Sequence, residues 1–120
     1  MKQWLAAMAA FGVAACASVN GSADVNLDAI AREYVSLALE IDAHESGYVD
    51  AYFGPPEWRE AARKNPRGRE ELKREADRLQ AVLKRYSSTD VESTQRAKVL
   101  LANLSSARFR LDMIDGKRVP

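Results

Sequence analysis

Apolar residues return at three- and four-residue steps in three separate long stretches of this chain, a rhythm that admits helices packed on helices and little else. In the first stretch Leu27, Ile30, Ala31, Tyr34, Leu37, Ala38 and Ile41 keep the step, while Asp28, Arg32, Glu33, Glu40 and Asp42 fall mostly on the other side. Asn26 stands where its side-chain oxygen can accept from the free amides of a first turn, so it is the expected N-cap. The second stretch carries Leu72, Ala76, Leu79, Val82, Leu83 and Tyr86. Glu70 before Arg74 and Lys73 before Asp77, each four residues apart, support its outer face by about 0.2 to 0.5 kcal/mol per pair. Ser87 and Ser88 interrupt, and Thr89 with Glu92 has the spacing of a capping box. The third stretch follows with Val91, Ala97, Leu100, Leu101, Leu104, Ala107, Leu111 and Ile114, and Gly116 is the expected stop. No period-two stretch competes with these helices.

Such stripes cannot be buried one at a time. The expected fold is therefore all-α, an antiparallel helical bundle of about three long helices plus one or two short ones. It occupies residues 26–118 as a single domain, complete or a fragment of a larger one.

Residues 1–15 predict a different role. Lys2 supplies a positive start, the residues from 4 to 15 are apolar, and small residues surround Cys16, which together form an export signal. The apolar stretch is shorter than the roughly 20 residues that span a bilayer. Val13-Ala14-Ala15-Cys16 resembles a bacterial lipobox, in which the thiol of Cys16 is alkylated and the chain is cut just before it. On that reading residues 1–15 are a lipoprotein signal peptide and residues 16–25, rich in Ser, Asn, Gly and Asp, a flexible tether. Palmitate-type acyl chains on Cys16 would then anchor the protein to a membrane, each buried methylene contributing roughly 0.8 kcal/mol. Ala17 is not the aspartate that typically retains such proteins at the inner membrane, which implies the outer membrane, facing the periplasm. A conventional cut after Ala17 would instead release a soluble periplasmic or secreted chain. With one cysteine, no internal disulfide can form.

Losing Lys2 with the signal takes Lys+Arg from 18 to 17, equal to the 17 Asp+Glu, so the remaining chain is formally neutral. That balance argues against a nucleic-acid partner, whose footprint is a basic excess on one face. Arg63, Lys64, Arg67 and Arg69 interleave with Glu60, Glu70, Glu71, Glu75 and Asp77, the pattern of a solvated helix face.

Four of the seven aromatic residues outside the signal lie between Tyr48 and Trp58. Tyr48 with Tyr52, and Val49 with Phe53, are one helical turn apart, so a short helix ended by Gly54 would point all four toward one region. Pro55 and Pro56 then suit the opening of a further helix through residue 64. The aromatics form either a side core between helices or one wall of a binding cleft, with His44, Glu45, Tyr48, Asp50, Tyr52, Phe53 and Trp58 as its surface. The ligand of such a wall, a sugar, a peptide or a partner helix, stays open.

His44-Glu45 also starts like a zinc-protease His-Glu-x-x-His helix, but Tyr48 occupies the second histidine position and His44 is the only histidine. No metal site, cofactor or catalytic residue is expected, and the chain reads as a non-enzyme.

The run from Tyr48 to Arg59, Tyr-Val-Asp-Ala-Tyr-Phe-Gly-Pro-Pro-Glu-Trp-Arg, preceded by Tyr34-Val35, Leu37-Ala38-Leu39 and His44, resembles the N-terminal part of a family of longer, largely uncharacterised secreted bacterial proteins. Their later halves look like helical zinc metallopeptidases. The likeness covers roughly residues 27–118 and implies an all-helical fold with the aromatic segment against a cleft of a larger protein. No metal ligand or catalytic residue carries over, because no position here matches such a motif. Two expectations follow: a lipid-anchored module presenting its aromatic segment to a protein or small-molecule partner, or a truncated structural part of a peptidase-like protein.

Overall fold

The computed structural model describes residues 25–116. The signal region 1–15, Cys16, the tether up to residue 24 and residues 117 and 118 of the expected domain lie outside the described residues.

Four α-helices make up the described chain: α1 (Leu27–His44), α2 (Pro56–Lys64), α3 (Arg69–Lys84) and α4 (Val91–Ile114). Three are long and one is short, and no strand occurs among the described residues. Asn26 caps α1 as its spacing predicts, accepting from the amides of Asp28 at 2.9 Å and Ala29 at 3.2 Å. Pro56 opens α2, where its missing N–H leaves nothing unsatisfied. Gly116 takes a φ of +100° beyond α4 and donates to the Met113 carbonyl at 2.9 Å, closing that helix.

The start of α4 differs from the expected capping box. Asp90, one residue after Thr89, is the N-cap, and its carboxylate accepts from the Ser93 amide at 2.8 Å. Ser88 supports that turn by accepting from the Asp90 amide at 3.0 Å. A carboxylate at this place also meets the positive end of the helix dipole, which favours Asp90 over a neutral hydroxyl.

Ion pairs record the directions of the helices. Glu33 on α1 meets Arg78 on α3 at 2.8 Å while His44, at the other end of α1, reaches the connection just before α3, so α1 and α3 are antiparallel. Asp77 meets Arg108 at 3.1 Å and Lys73 meets Asp115, so α3 and α4 are antiparallel too. Arg96 with Asp28 and Arg110 with Glu45 then join α1 and α4 side by side in the same direction. The expected Lys73–Asp77 pair gives way to these contacts, since both side chains find partners on α4.

Between the three long helices Leu37, Ile41, Leu72, Leu79, Leu104 and Leu111 have essentially no exposed surface. Each such side chain contributes about 1.5 to 3 kcal/mol relative to an exposed one. Ala76 and Ala107, equally buried, keep the α3–α4 seam narrow. Val91, placed by its spacing on this core side, is exposed instead, because it opens α4 ahead of the first core layer at Ala97. The short helix α2 packs on α1 alone among the described helices and buries only Ala62.

Two side chains expected on the polar side of α1 are buried: Glu40 is 6% exposed and Asp42 8%. The C-terminal half of α1 is covered by core, by α2 and by both flanking connections, so its polar side meets protein rather than water. α4 shows the converse. Val99, Ala102, Ser106, Phe109 and Met113 form a second line on the face opposite its core stripe, with Val99, Phe109 and Met113 exposed.

Candidate functional site

Residues 45–55 are irregular, so the expected short helix over Tyr48–Phe53 is absent. Asp42 explains the difference. Its Oδ1 accepts from the amides of Gly47 at 3.2 Å and Val49 at 3.0 Å, taking up donors that a helix would spend on its own carbonyls. Gly47 makes the turn with a φ of +95°, a conformation that other residues seldom adopt. Arg59 of α2 approaches the other Asp42 oxygen at 3.7 Å and lies 5.9 Å from the Tyr52 ring centre.

Without that helix the four aromatics of the segment diverge. Tyr48 and Tyr52 turn toward α1, where with Tyr34, Val35, Ala38 and Val49 they line a groove of about 400 Å³. Leu39, 2% exposed, closes its floor. Tyr34 and Tyr48 also pack on the bundle core, so the groove is continuous with the rigid part of the fold. The Tyr52 hydroxyl donates to the Pro55 carbonyl at 2.8 Å. Gly54 makes room for it: a Cβ there would lie 2.6 Å from the same hydroxyl.

The remaining expected surface residues lie elsewhere. Trp58 faces α1 and stacks under the Arg32 guanidinium at 4.7 Å, in a second depression of about 320 Å³ shared with Ser36, Glu40 and Glu57. Phe53 is 95% exposed and Asp50 is exposed beside it. Glu45 pairs with Arg110 of α4. His44 has a ring nitrogen 2.7 Å from the Arg67 carbonyl, which it reaches as a donor. The aromatic segment thus supplies two sites and a lone exposed ring rather than one floor.

Tyr34, in the groove, and Glu40, in the second depression, are lining residues that sequence reasoning passed over. Tyr34 belongs to the helical stripe and reads as core. Arg67, expected on a solvated face, sits in the 65–68 connection and donates to Glu40.

Burial raises the Tyr34 phenol above its ordinary value; burial and then the neighbouring Tyr34 raise Tyr48. Both hydroxyls therefore stay protonated through neutral pH and act as uncharged donors and acceptors at the rim of an aliphatic surface. Among the described residues no three His, Cys, Asp or Glu side chains come together as a metal-binding group, and no helix is long and apolar enough to cross a membrane.

No protein-family model, curated protein or solved structure matches the chain. The groove is thus the ground for a functional reading, with the sequence motifs beside it.

Proposed function

We propose that the chain is a lipid-anchored, exported helical module without a catalytic site of its own, which takes up an apolar or aromatic group of a partner or small ligand in the tyrosine groove. The convergence of Tyr34, Tyr48 and Tyr52 from two segments onto one groove carries this reading. Phenol rings offer flat apolar area with a hydroxyl at the edge, chemistry for stacking and orienting hydrogen bonds. Proton transfer near neutrality asks for groups of another kind.

Nuclear magnetic resonance with a panel of small aromatic and sugar probes tests the groove. The expected result is a set of shifts confined to residues around Tyr34, Tyr48 and Tyr52, lost in Tyr48→Ala while the fold persists. Shifts scattered over the surface, or centred on Phe53, would overturn it. The anchor has its own test in mass spectrometry of the mature N-terminus. A diacylglyceryl thioether on Cys16 is expected; a free thiol there, or a start at Ser18, would remove the anchor from the proposal.

The second reading, a leading structural part of a longer peptidase-like protein, is favoured by one observation. Val99, Phe109 and Met113 expose an apolar line on α4 that another part of a larger domain could cover.

A further inference from the structure

Phe53 is 95% exposed, the least covered large apolar side chain among the described residues. That exposure is built into the turn. The Tyr52 hydroxyl closes on the Pro55 carbonyl at 2.8 Å across the residues that carry Phe53, and Gly54 leaves no room for a Cβ beside the phenol. One benzyl group is thereby held out into water, at a cost in free energy that only an apolar surrounding removes. Beside the same turn lies a depression of about 280 Å³ lined by Tyr52, Gly54, Pro56, Arg59, Glu60 and Arg63. Arg59 already faces Asp42 at 3.7 Å, whereas Glu60 and Arg63 meet no partner of opposite charge among the described residues. One free acid and one free base in so small a space match a zwitterionic group, its phosphate against Arg63 and its ammonium against Glu60.

From this juxtaposition we infer that the Phe53 turn is a second membrane contact, whose ring enters a phospholipid surface while a phosphoethanolamine headgroup fills the depression beside it. The inference rests on the lipid anchor proposed above, which also selects a bilayer rather than a protein pocket as the occupant. From an acylated Cys16, residues 16–25 reach at most about 30 Å, more than the roughly 27 Å length of α1. Tyr52 lies against Val35 and Ala38, midway along α1, so Phe53 comes within that reach. The anchor alone fixes no orientation of the domain. A single ring cannot retain a free protein on a bilayer, but for an anchored chain the second contact is intramolecular, at roughly millimolar effective concentration. One inserted aromatic ring then decides which face turns toward the lipid. Asp50, exposed beside Phe53, weighs against a strongly anionic surface and for a zwitterionic one. This orientation sets the tyrosine groove, which shares Tyr52 with the turn, at the membrane surface.

The test labels the chain with para-fluorophenylalanine, isolates it from membranes and reads its N-terminus by mass spectrometry. Fluorine resonances are then recorded in phosphatidylcholine and phosphatidylethanolamine bicelles doped with a spin-labelled lipid. Signal removal takes Phe11, leaving Phe53 and Phe109 as the two reporters, assigned through Phe109→Leu. The Phe53 line is expected to broaden at least threefold more than the Phe109 line. Arg63→Glu, with circular dichroism unchanged, should at least halve that excess, and so should omission of phosphatidylethanolamine. Equal broadening of the two lines on an acylated chain, or an excess indifferent to Arg63→Glu, would overturn the membrane contact and leave the anchor standing. A free Cys16 thiol in the mass spectrum would remove both.

Discussion

Glu40 of α1 accepts hydrogen bonds from both the backbone and the side chain of Arg67. The Arg67 amide reaches Oε1 at 2.9 Å, its Nε the same oxygen at 3.0 Å, and its Nη2 the other oxygen at 2.6 Å. This fork holds the Arg67 guanidinium above its ordinary value, chiefly through the hydrogen bond to Glu40. It also fastens the short connection between α2 and α3 to the end of α1.

Replacing Arg67 by Met leaves a carboxylate buried without its partner. The expected cost is about 3 kcal/mol, the lower part of the range for broken buried pairs, since Arg67 itself is partly exposed. Arg67→Lys should recover only part of it, because an ammonium cannot present two parallel donors. Urea denaturation of the three proteins measures this, and equal midpoints would contradict the assignment.

Capping offers a comparison within one turn. Asp90→Ala should lower the melting temperature measurably while Thr89→Ala leaves it nearly unchanged, because the carboxylate that accepts from Ser93 belongs to Asp90. Asn26→Ala should cost about 1 kcal/mol at the start of α1. Thermal melts followed by circular dichroism decide all three.

Alkaline titration reports on the groove. Tyr34 and Tyr48 hold phenols raised above the ordinary value near 10. A group raised in the folded state contributes stability that is complete below its unfolded value and is lost as pH climbs through the folded one. Ultraviolet difference titration should show two late-ionising tyrosines in the native protein, and removing them with Tyr34→Phe and Tyr48→Phe should flatten the loss of stability above pH 10.

Acid acts on the α3–α4 seam at Asp115 and on an ion pair within α3 at Glu75. Asp115 is lowered first by its hydrogen bond from Lys73 and then by Arg69, and Glu75 is lowered first by Arg78. Depressed carboxylates contribute stability above their unfolded values, near 4, that disappears as pH falls through the folded ones. Melting temperature should therefore drop steadily below about pH 4, and Asp115→Asn should shrink the drop. An unchanged pH profile in that variant would count against the seam.

Much of the frame was legible because one regularity carries it. Leu37, Leu79, Leu104 and their neighbours announce a buried stripe by step length alone, and Asn26, Pro56 and Gly116 mark ends through local chemistry. Step length fails where covering comes from outside the helix. Glu40 and Asp42 keep polar positions on α1, yet they are buried because Arg67, Arg59 and the turn at Gly47 close over them. The same carboxylate at Asp42 undid the expected helix through Tyr48, an effect of hydrogen-bond competition that no periodicity registers. The groove was half visible. Tyr48 and Tyr52 stood out by density, but Tyr34 was hidden inside a regular stripe, and Trp58 was carried off to Arg32 by the start of α2.

Since α2 leans on α1 and on no other described helix, residues 56–64 amount to an excursion hung from a frame of three helices. Slow hydrogen exchange should then fall into two tiers, with α2 detaching while α3 and α4 stay shut. A detachable excursion is also the natural place for this architecture to vary, because its length can change without reopening the frame.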